Sequence, residues 1–413
     1  MTKLDIDYVR SCFPAFEQPL PSKTALFENA GGSYVAGAVL DRYFHFYTAN
    51  KVQPYGASEI CHAAGEQMDA GRQAMADLLG IPTQSLTLGP STTQNFNTLA
   101  IACGAIVGKG HAVIVTDQDH EANIGAWERL CERLGANLRT WPINSEGELC
   151  LEGLEPLIDE SVKVICMTHS SNIVGTINPV EKVIEMVRPM GIGVIVDGVS
   201  YAPHQWPAIP DLKPDAYCFS TYKTYATHLG VMYVAPDFAQ RLDPQCHYFN
   251  IQYPEKRFDT AGPDHASIAA LAGLGDYFAD SHLHHFGATS SDLYSRTQEI
   301  SKLMHEHETE LCQLLLDGIA ELPLSILGRS TMQGREANIA LRSSQYSSSA
   351  LSEALAKADI AAGHGNFYAK RLLEKVGIED SEEGVLRISF SHYNTREETQ
   401  RVVDVLQQLH RSE

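Results

Sequence analysis

The stretch IGVIVDGVSYAPHQWPAIPDLKPDAYCFSTYKTYATHLGVMYV, residues Ile192 to Val234, decides how this chain folds. It opens with an apolar run, Ile192 to Val196, that ends on Asp197. A second run, Asp215 to Phe219, delivers Ser220-Thr221-Tyr222-Lys223, and a third, Leu229 to Val234, follows at once. Short β-rich runs bounded by Gly, Pro and Asp read as strands of a buried sheet. The acid at one strand end and the lysine just past the next share one edge of that sheet. Open α/β sheets bind their ligands at that edge.

A lysine amine can form a Schiff base with an aldehyde, and a carboxylate can keep a pyridine nitrogen protonated. Pyridoxal phosphate (PLP) chemistry needs both. The same letters also suit an ordinary strand-end Asp and a surface Lys, so the rest of the chain must decide. D-G-V-S-Y-A-P-H followed by F-S-T-Y-K resembles the class V aminotransferase family, in particular its cysteine desulfurase-like branch. The resemblance implies fold type I: an α/β protein with a mostly parallel, seven-stranded-type sheet, helices on both faces, and a smaller α+β C-terminal domain. It also implies a homodimer with PLP at the interface. By resemblance Lys223 is the Schiff-base lysine, Asp197 the partner of the pyridine nitrogen, and Ser220 a phosphate ligand. Tyr222 stands beside the lysine where many members carry a histidine. Ser200 stands where the desulfurases usually have a glutamine facing the cofactor's phenolic oxygen.

The 413 residues are long enough for a sizeable core and for two or three domains. The expected division is a large PLP-binding domain over 21–265 and a small domain over 266–413 joined by 1–20. Lys and Arg number 31 against 51 Asp and Glu, a formal charge of −20. So acidic a chain does not coat nucleic acid or an anionic membrane by charge. MTKLDIDYVRSCF lacks the charged start and apolar core of a signal peptide, and no apolar run is long enough to span a bilayer. The nine cysteines are scattered and free of C-x-x-C pairs, and Cys166 and Cys218 sit inside apolar runs. The chain reads as cytoplasmic, with no disulfide framework and no zinc site.

Upstream, TALFENAGGSYV suggests a strand and a Gly31-Gly32 turn; the resemblance implies that Asn29 to Gly32 touch substrate, and a plain turn suits the same letters. Ala63 to Leu79 has helical spacing and stops at Gly80. Ser85 to Leu88 reads as a strand, Gly89 to Gln94 as a hydroxyl-rich turn, and Phe96 to Cys103 as a helix. Free N–H groups of a first helical turn attract an anion, although Ser91 or Thr92 serves equally as a simple N-cap. The resemblance assigns the cofactor phosphate to Thr92 and Thr93. Gly104 to Gly110 is too short for a P-loop, lacks its final hydroxyl and follows a helix. The strand Ala112 to Val115 leads to D-H-E-A-N, whose His120 matches the family histidine that stacks on the pyridine ring and can relay protons. The strand Val162 to Met167 leads to Asn172, by resemblance placed over the cofactor and the substrate carboxylate. Val180 to Met190 reads as a helix, and the alternation of strands and helices predicts a mostly parallel sheet.

RFDTAGPDHAS, residues 257–267, falls where the family has a threonine that reaches the partner's cofactor phosphate; Gly262 occupies that position, with Thr260 nearby. A long helical region over 267–322 follows. Its histidines, His282, His284, His285, His305 and His307, lack a metal-ligand signature. Strands near Ala337 to Arg342 and Val385 to Phe390 flank a helix from Ser349, and Thr395-Arg396-Glu397-Glu398 forms a capping box. V-L-R-I-S-F-S-H-Y-N-T resembles the family's terminal signature, whose arginine binds the substrate α-carboxylate. That is Arg387 here. An arginine inside an apolar strand needs a partner, either a ligand or a buried ion pair.

Desulfurases also need a nucleophilic cysteine on a loop before the terminal strand. In AAGHGNFYA, residues 361–369, that position is Asn366, which cannot accept sulfur. Three readings follow. The first is C–S bond cleavage by β-elimination from a small, cysteine-type amino acid. There Lys223 takes the α-proton, His120 or His364 protonates the leaving group, and Arg387, Asn172 and Asn366 hold substrate. The second is an aminotransferase or epimerase on a small amino acid. The third is a PLP-fold binding protein without catalysis.

Overall fold

Strand β1 (Ala25–Leu26) is two residues long, and the sheet that organises the chain begins with β2 (Leu86–Gly89). It continues through β3 (Ala112–Thr116), β4 (Asn137–Trp141), β5 (Val162–Thr168), β6 (Gly193–Asp197), β7 (Ala216–Ser220) and β8 (Gly230–Val234). The computed structural model describes residues 2–411. The seven strands lie in the order β2-β8-β7-β6-β5-β3-β4. Strands β3 to β7 pair in parallel, and β8 alone runs antiparallel to both its neighbours. A parallel return needs a crossover of about a dozen residues or more. The link from Ser220 to Gly230 is shorter than that, so the chain turns back on itself.

Alternate residues of each central strand go to opposite cores. Val113, Val115, Val164, Cys166, Ile195, Ala216 and Cys218 pack with the helices Thr92–Ala102 and Glu121–Leu134. Ile114, Ile165, Met167, Val194, Val196, Tyr217 and Phe219 pack on the other face. A sheet buried on both sides explains why these strands read as continuous apolar runs without alternation. The mostly parallel α/β fold expected from the sequence is the one formed.

The predicted strands and helices of this half lie within a few residues of those observed. Four strands escape the sequence reading: the short β11 (Ile360–Ala361) and β12 (Gly363–Gly365), in a segment read as a loop, and β4 and β9 (Leu324–Leu327). β4 and β9 are edge strands with mixed composition; in β4 only Trp141 is buried. The region 267–322 is two helices, His265–Phe286 and Leu293–Ile319. Gly287, at φ +79, ends the first, and Asp292 caps the second by accepting a hydrogen bond from the Ser295 N–H at 2.7 Å.

The helix His265–Phe286 packs across Gly37–Ala49 and Glu59–Leu79. A Cβ on Gly71 would lie 1.9 Å from the Ile268 carbonyl oxygen, so this crossing closes only over bare backbone. Although it lies beyond residue 265, this helix shares the core of the large sheet.

The small sheet holds β9, β10 (Asn338–Ser343), β12 (Gly363–Gly365) and β13 (Val385–Ser389), all antiparallel, in the order β12-β13-β10-β9. The short β11 (Ile360–Ala361) pairs in parallel with β1. Ala25 and Phe27, near the chain start, therefore pack in the small sheet's core with Ile339, Leu386 and Ile388. The Thr395 capping box forms as read: the Glu398 N–H donates to Thr395 Oγ1 at 3.1 Å, and the Thr395 N–H donates to Glu398 Oε2 at 3.0 Å. The histidines of 282–307 are spread over separate partners, among them Glu299 for His282, Asp5 for His284 and the Asn394 carbonyl for His307. Among the described residues no helix is long and apolar enough to cross a membrane.

Candidate active site

The C-terminal ends of β5, β6 and β7 bring Thr168, Asp197 and Ser220 to one edge of the sheet. The turn Thr221–Lys223 follows β7 directly, and the segment after β3 adds His120. These residues line a cavity of about 630 Å³, open to solvent on one side, together with Thr92, Thr93, Asn172, Ser200 and Tyr222.

Lys223 and Asp197 face the same cavity. Burial lowers the Lys223 amine from 10.5 to about 8, helped by the Arg387 charge and opposed by Asp197 and Glu28. A neutral amine, the form that adds to an aldehyde, is therefore accessible near physiological pH. Asp197 closes β6 and accepts a hydrogen bond from the Val199 N–H at 2.9 Å. Burial raises its carboxyl to about 6, against that N–H and Lys223, so the carboxylate is ionised at neutral pH.

At the other end of the cavity, Ser91 caps the helix Thr92–Ala102 by accepting from the Gln94 N–H at 3.1 Å. Ser91 thus takes the capping role and leaves Thr92 free for the cavity. Thr92 Oγ1 and Ser220 Oγ lie 2.7 Å apart. Two hydroxyls beside the free N–H groups of a helix start form an anion cradle. Tyr222 stacks on His228 with ring centroids 4.5 Å apart and planes at 2°, and His228 also lines the cavity.

His120 caps the helix Glu121–Leu134, its Nδ1 accepting from the Ala122 N–H at 3.0 Å. The single proton of the neutral ring then sits on Nε2. Burial, with Lys223 and Arg387 nearby, holds the imidazole down at about 4, so it is neutral across the physiological range.

Arg387 sits in the middle of β13, its side chain 4% exposed, behind Asn172. Its Nη2 donates to Glu28 Oε1 at 2.6 Å and its Nη1 to the Asn172 carbonyl at 3.4 Å. Of the two partners the sequence allowed, the structure supplies the buried ion pair. The Asn172 side-chain amide is committed to the Phe367 carbonyl at 2.9 Å.

Three expected site residues do not line the cavity: Arg387, which reaches it only through its contact with the Asn172 carbonyl, His364 and Asn366. In the pairing of β12 with β13, Gly363 lies opposite Arg387 and His364 opposite Leu386. Neighbouring strand residues point to opposite faces, so His364 leaves on the side away from Arg387 and is exposed. Its expected role as an acid at the leaving group therefore has no support in its placement. Asn366 folds back on its own loop, its Oδ1 accepting from the Tyr368 N–H at 3.0 Å and its Nδ2 donating to Glu382 at 3.3 Å. Asn29 is likewise spent on the Leu26 and Ser389 carbonyls. Thr260 and Gly262 line a neighbouring groove that shares His228 with the cavity. Glu28, Phe367 and His228 escape the sequence reading; no short-range pattern links residue 28 to residue 387.

The residues present fit PLP. A buried carboxylate that forms no salt bridge among the described residues, a hydroxyl pair at a helix start, and an enclosed amine answer the cofactor's ring nitrogen, phosphate and aldehyde.

The class V aminotransferase family model matches residues 25–402. An aminotransferase-like protein, FGM3, from Gibberella zeae is 28% identical over 99% of this chain and 99% of its own length. A cysteine desulfurase from Yersinia pseudotuberculosis is 26% identical over 98% of both chains. Among solved structures, the apo cysteine desulfurase of Thermococcus onnurineus superposes with a TM-score of 0.87 over 100% of both chains at 21% identity. The Escherichia coli cysteine desulfurase CsdA gives 0.81 over 98% of both chains, also at 21%. These structures share the fold.

Proposed function

The chain belongs to the class V aminotransferase family, and from that premise we propose that it is a PLP-dependent enzyme cleaving the C–S bond of a cysteine-type amino acid. Class V aminotransferases and the cysteine desulfurase relatives are PLP-dependent. The observation that carries the reading is the sharing of one cavity by Lys223, Asp197 and the hydroxyl-lined start of the helix Thr92–Ala102.

Bound there, PLP withdraws electrons from the substrate's α-carbon. Asp197 would hold the ring nitrogen's proton, Thr92, Thr93 and Ser220 would hold the phosphate, and Ser200 and Tyr222 would line the ring's site. Lys223 Nζ would hold the aldehyde and serve as the base for the substrate's α-proton. His120 Nε2 would supply a proton to the departing sulfur. Arg387 and Asn172 would bind the α-carboxylate. The balanced reaction is cysteine and water to pyruvate, ammonia and hydrogen sulfide. Direct release of sulfide is supported by the absence of any cysteine among the cavity-lining residues.

We also propose a homodimer. Tyr248, Phe249, Ile251 and Tyr253 are exposed side by side, with Tyr248 84% exposed, a patch suited to burial against a second copy. A cytoplasmic setting fits nine free cysteines.

The test is a panel of amino acids offered to purified yellow protein while the cofactor spectrum is followed. Sulfide with pyruvate and ammonia from cysteine supports the reading. Accumulation of pyridoxamine phosphate with a keto acid replaces it with transamination. An unchanged spectrum across the panel, with no turnover, removes both.

A further inference from the structure

Arg387 already has an anion. Glu28 Oε1 lies 2.6 Å from its Nη2, and the Phe367 ring covers the guanidinium face at 3.7 Å. Around this pair two buried atoms find no partner within the protein, Arg387 Nε and Glu28 Oε2. The cluster is built to close tolerance. A Cβ on Gly363 would fall 2.2 Å from Glu28 Oε2, so the carboxylate occupies space that only a glycine in β12 leaves open. Phe367 and Tyr368 hold left-handed backbone, at φ 47 and 60, a conformation that bulky side chains rarely adopt. The Asn172 amide, the second group assigned to the substrate, pins this loop through the Phe367 carbonyl.

The geometry points to Glu28 as a specificity-determining residue: its carboxylate occupies the Arg387 site and exchanges with the substrate's α-carboxylate. The inference rests on the reading of Arg387 as the carboxylate-binding residue. An incoming carboxylate must supply more than Glu28 does. It gains the unpartnered Nε–H, which Glu28 leaves unused, and so can accept from two guanidinium nitrogens where Glu28 accepts from one. Only a ligand able to take both nitrogens exchanges well, and a lone weak acceptor does not. Glu28 also keeps the guanidinium paired between turnovers, which a buried charge requires.

The test is calorimetric titration of propionate, a carboxylate with no amine, into the PLP-loaded protein. Glu28→Gln keeps the shape and removes the competing charge; it is expected to tighten the propionate Kd about tenfold, the scale of one charged hydrogen bond. Glu28→Asp, shorter by one methylene, is expected to fall between Glu28→Gln and the unmodified protein. Arg387→Gln is expected to abolish binding. If Arg387→Gln binds propionate as well as the unmodified protein, the carboxylate site lies elsewhere and the underlying reading fails. If Arg387→Gln abolishes binding while both Glu28 variants bind no more tightly than the unmodified protein, Arg387 stands and the exchange is overturned. No measurable binding to Glu28→Gln overturns it too.

Discussion

Replacing Lys223 with methionine is expected to make the cofactor-free protein more stable while destroying its function. Enclosure and the Arg387 charge bring the amine from 10.5 to about 8, so the folded state holds the amine's proton less tightly than the unfolded chain does. The gap corresponds to about 3 kcal/mol at pH 7, an upper bound because the amine still faces the open cavity. Since the folded value is the lower one, the cost is fully present below about pH 8 and is relieved as pH rises towards the unfolded value. Lys223→Met removes the charge and therefore the cost. Urea unfolding of the PLP-free protein at pH 7 should show a gain of up to about 3 kcal/mol over the unmodified protein, shrinking by pH 10. The pH dependence separates this effect from any packing gain of the methionine, which is the same at both pH values. A loss of stability at pH 7, or a gain equal at both pH values, would refute the electrostatic reasoning. The same variant should fail to retain yellow cofactor through gel filtration.

Three further outcomes follow from the site. Protonation of Asp197, whose carboxyl is raised to about 6, removes the charge that holds the cofactor's ring nitrogen; PLP affinity should fall below about pH 6, and Asp197→Asn should bind weakly with no such dependence, as read by equilibrium dialysis. Thr92→Val breaks the hydroxyl pair with Ser220; PLP dissociation should rise about tenfold, measured by cofactor fluorescence, with the fold unchanged by circular dichroism. His120→Phe keeps an aromatic ring beside the cavity but loses Nε2–H; turnover should drop by about 10²-fold to 10⁴-fold while the cofactor absorbance persists. Loss of absorbance instead would make His120 a cofactor anchor.

The sheet was legible because its strands are buried on both faces, which writes unbroken apolar runs into the sequence at Val162–Thr168, Gly193–Asp197 and Ala216–Ser220. Edge strands such as β4 leave a weaker trace because solvent tolerates polar side chains on them. The cavity's local residues were legible for a similar reason. Asp197, Ser220 and Lys223 sit at strand ends or in the turn just beyond, and Thr92 and His120 sit at helix starts; pattern fixed these places, and the family resemblance gave them their roles.

The sequence by itself determined the α/β class and the sheet edge, since these follow from residues a few positions apart, and its family motifs pointed to the amine, carboxylate and hydroxyls gathered there. Only the tertiary structure decided which way β12 faces, sending His364 outward, because a one-residue change of register reverses a side chain's direction. Only it brought Glu28 onto Arg387, since a buried charge takes its partner from whatever the folded chain places beside it, at any distance in sequence.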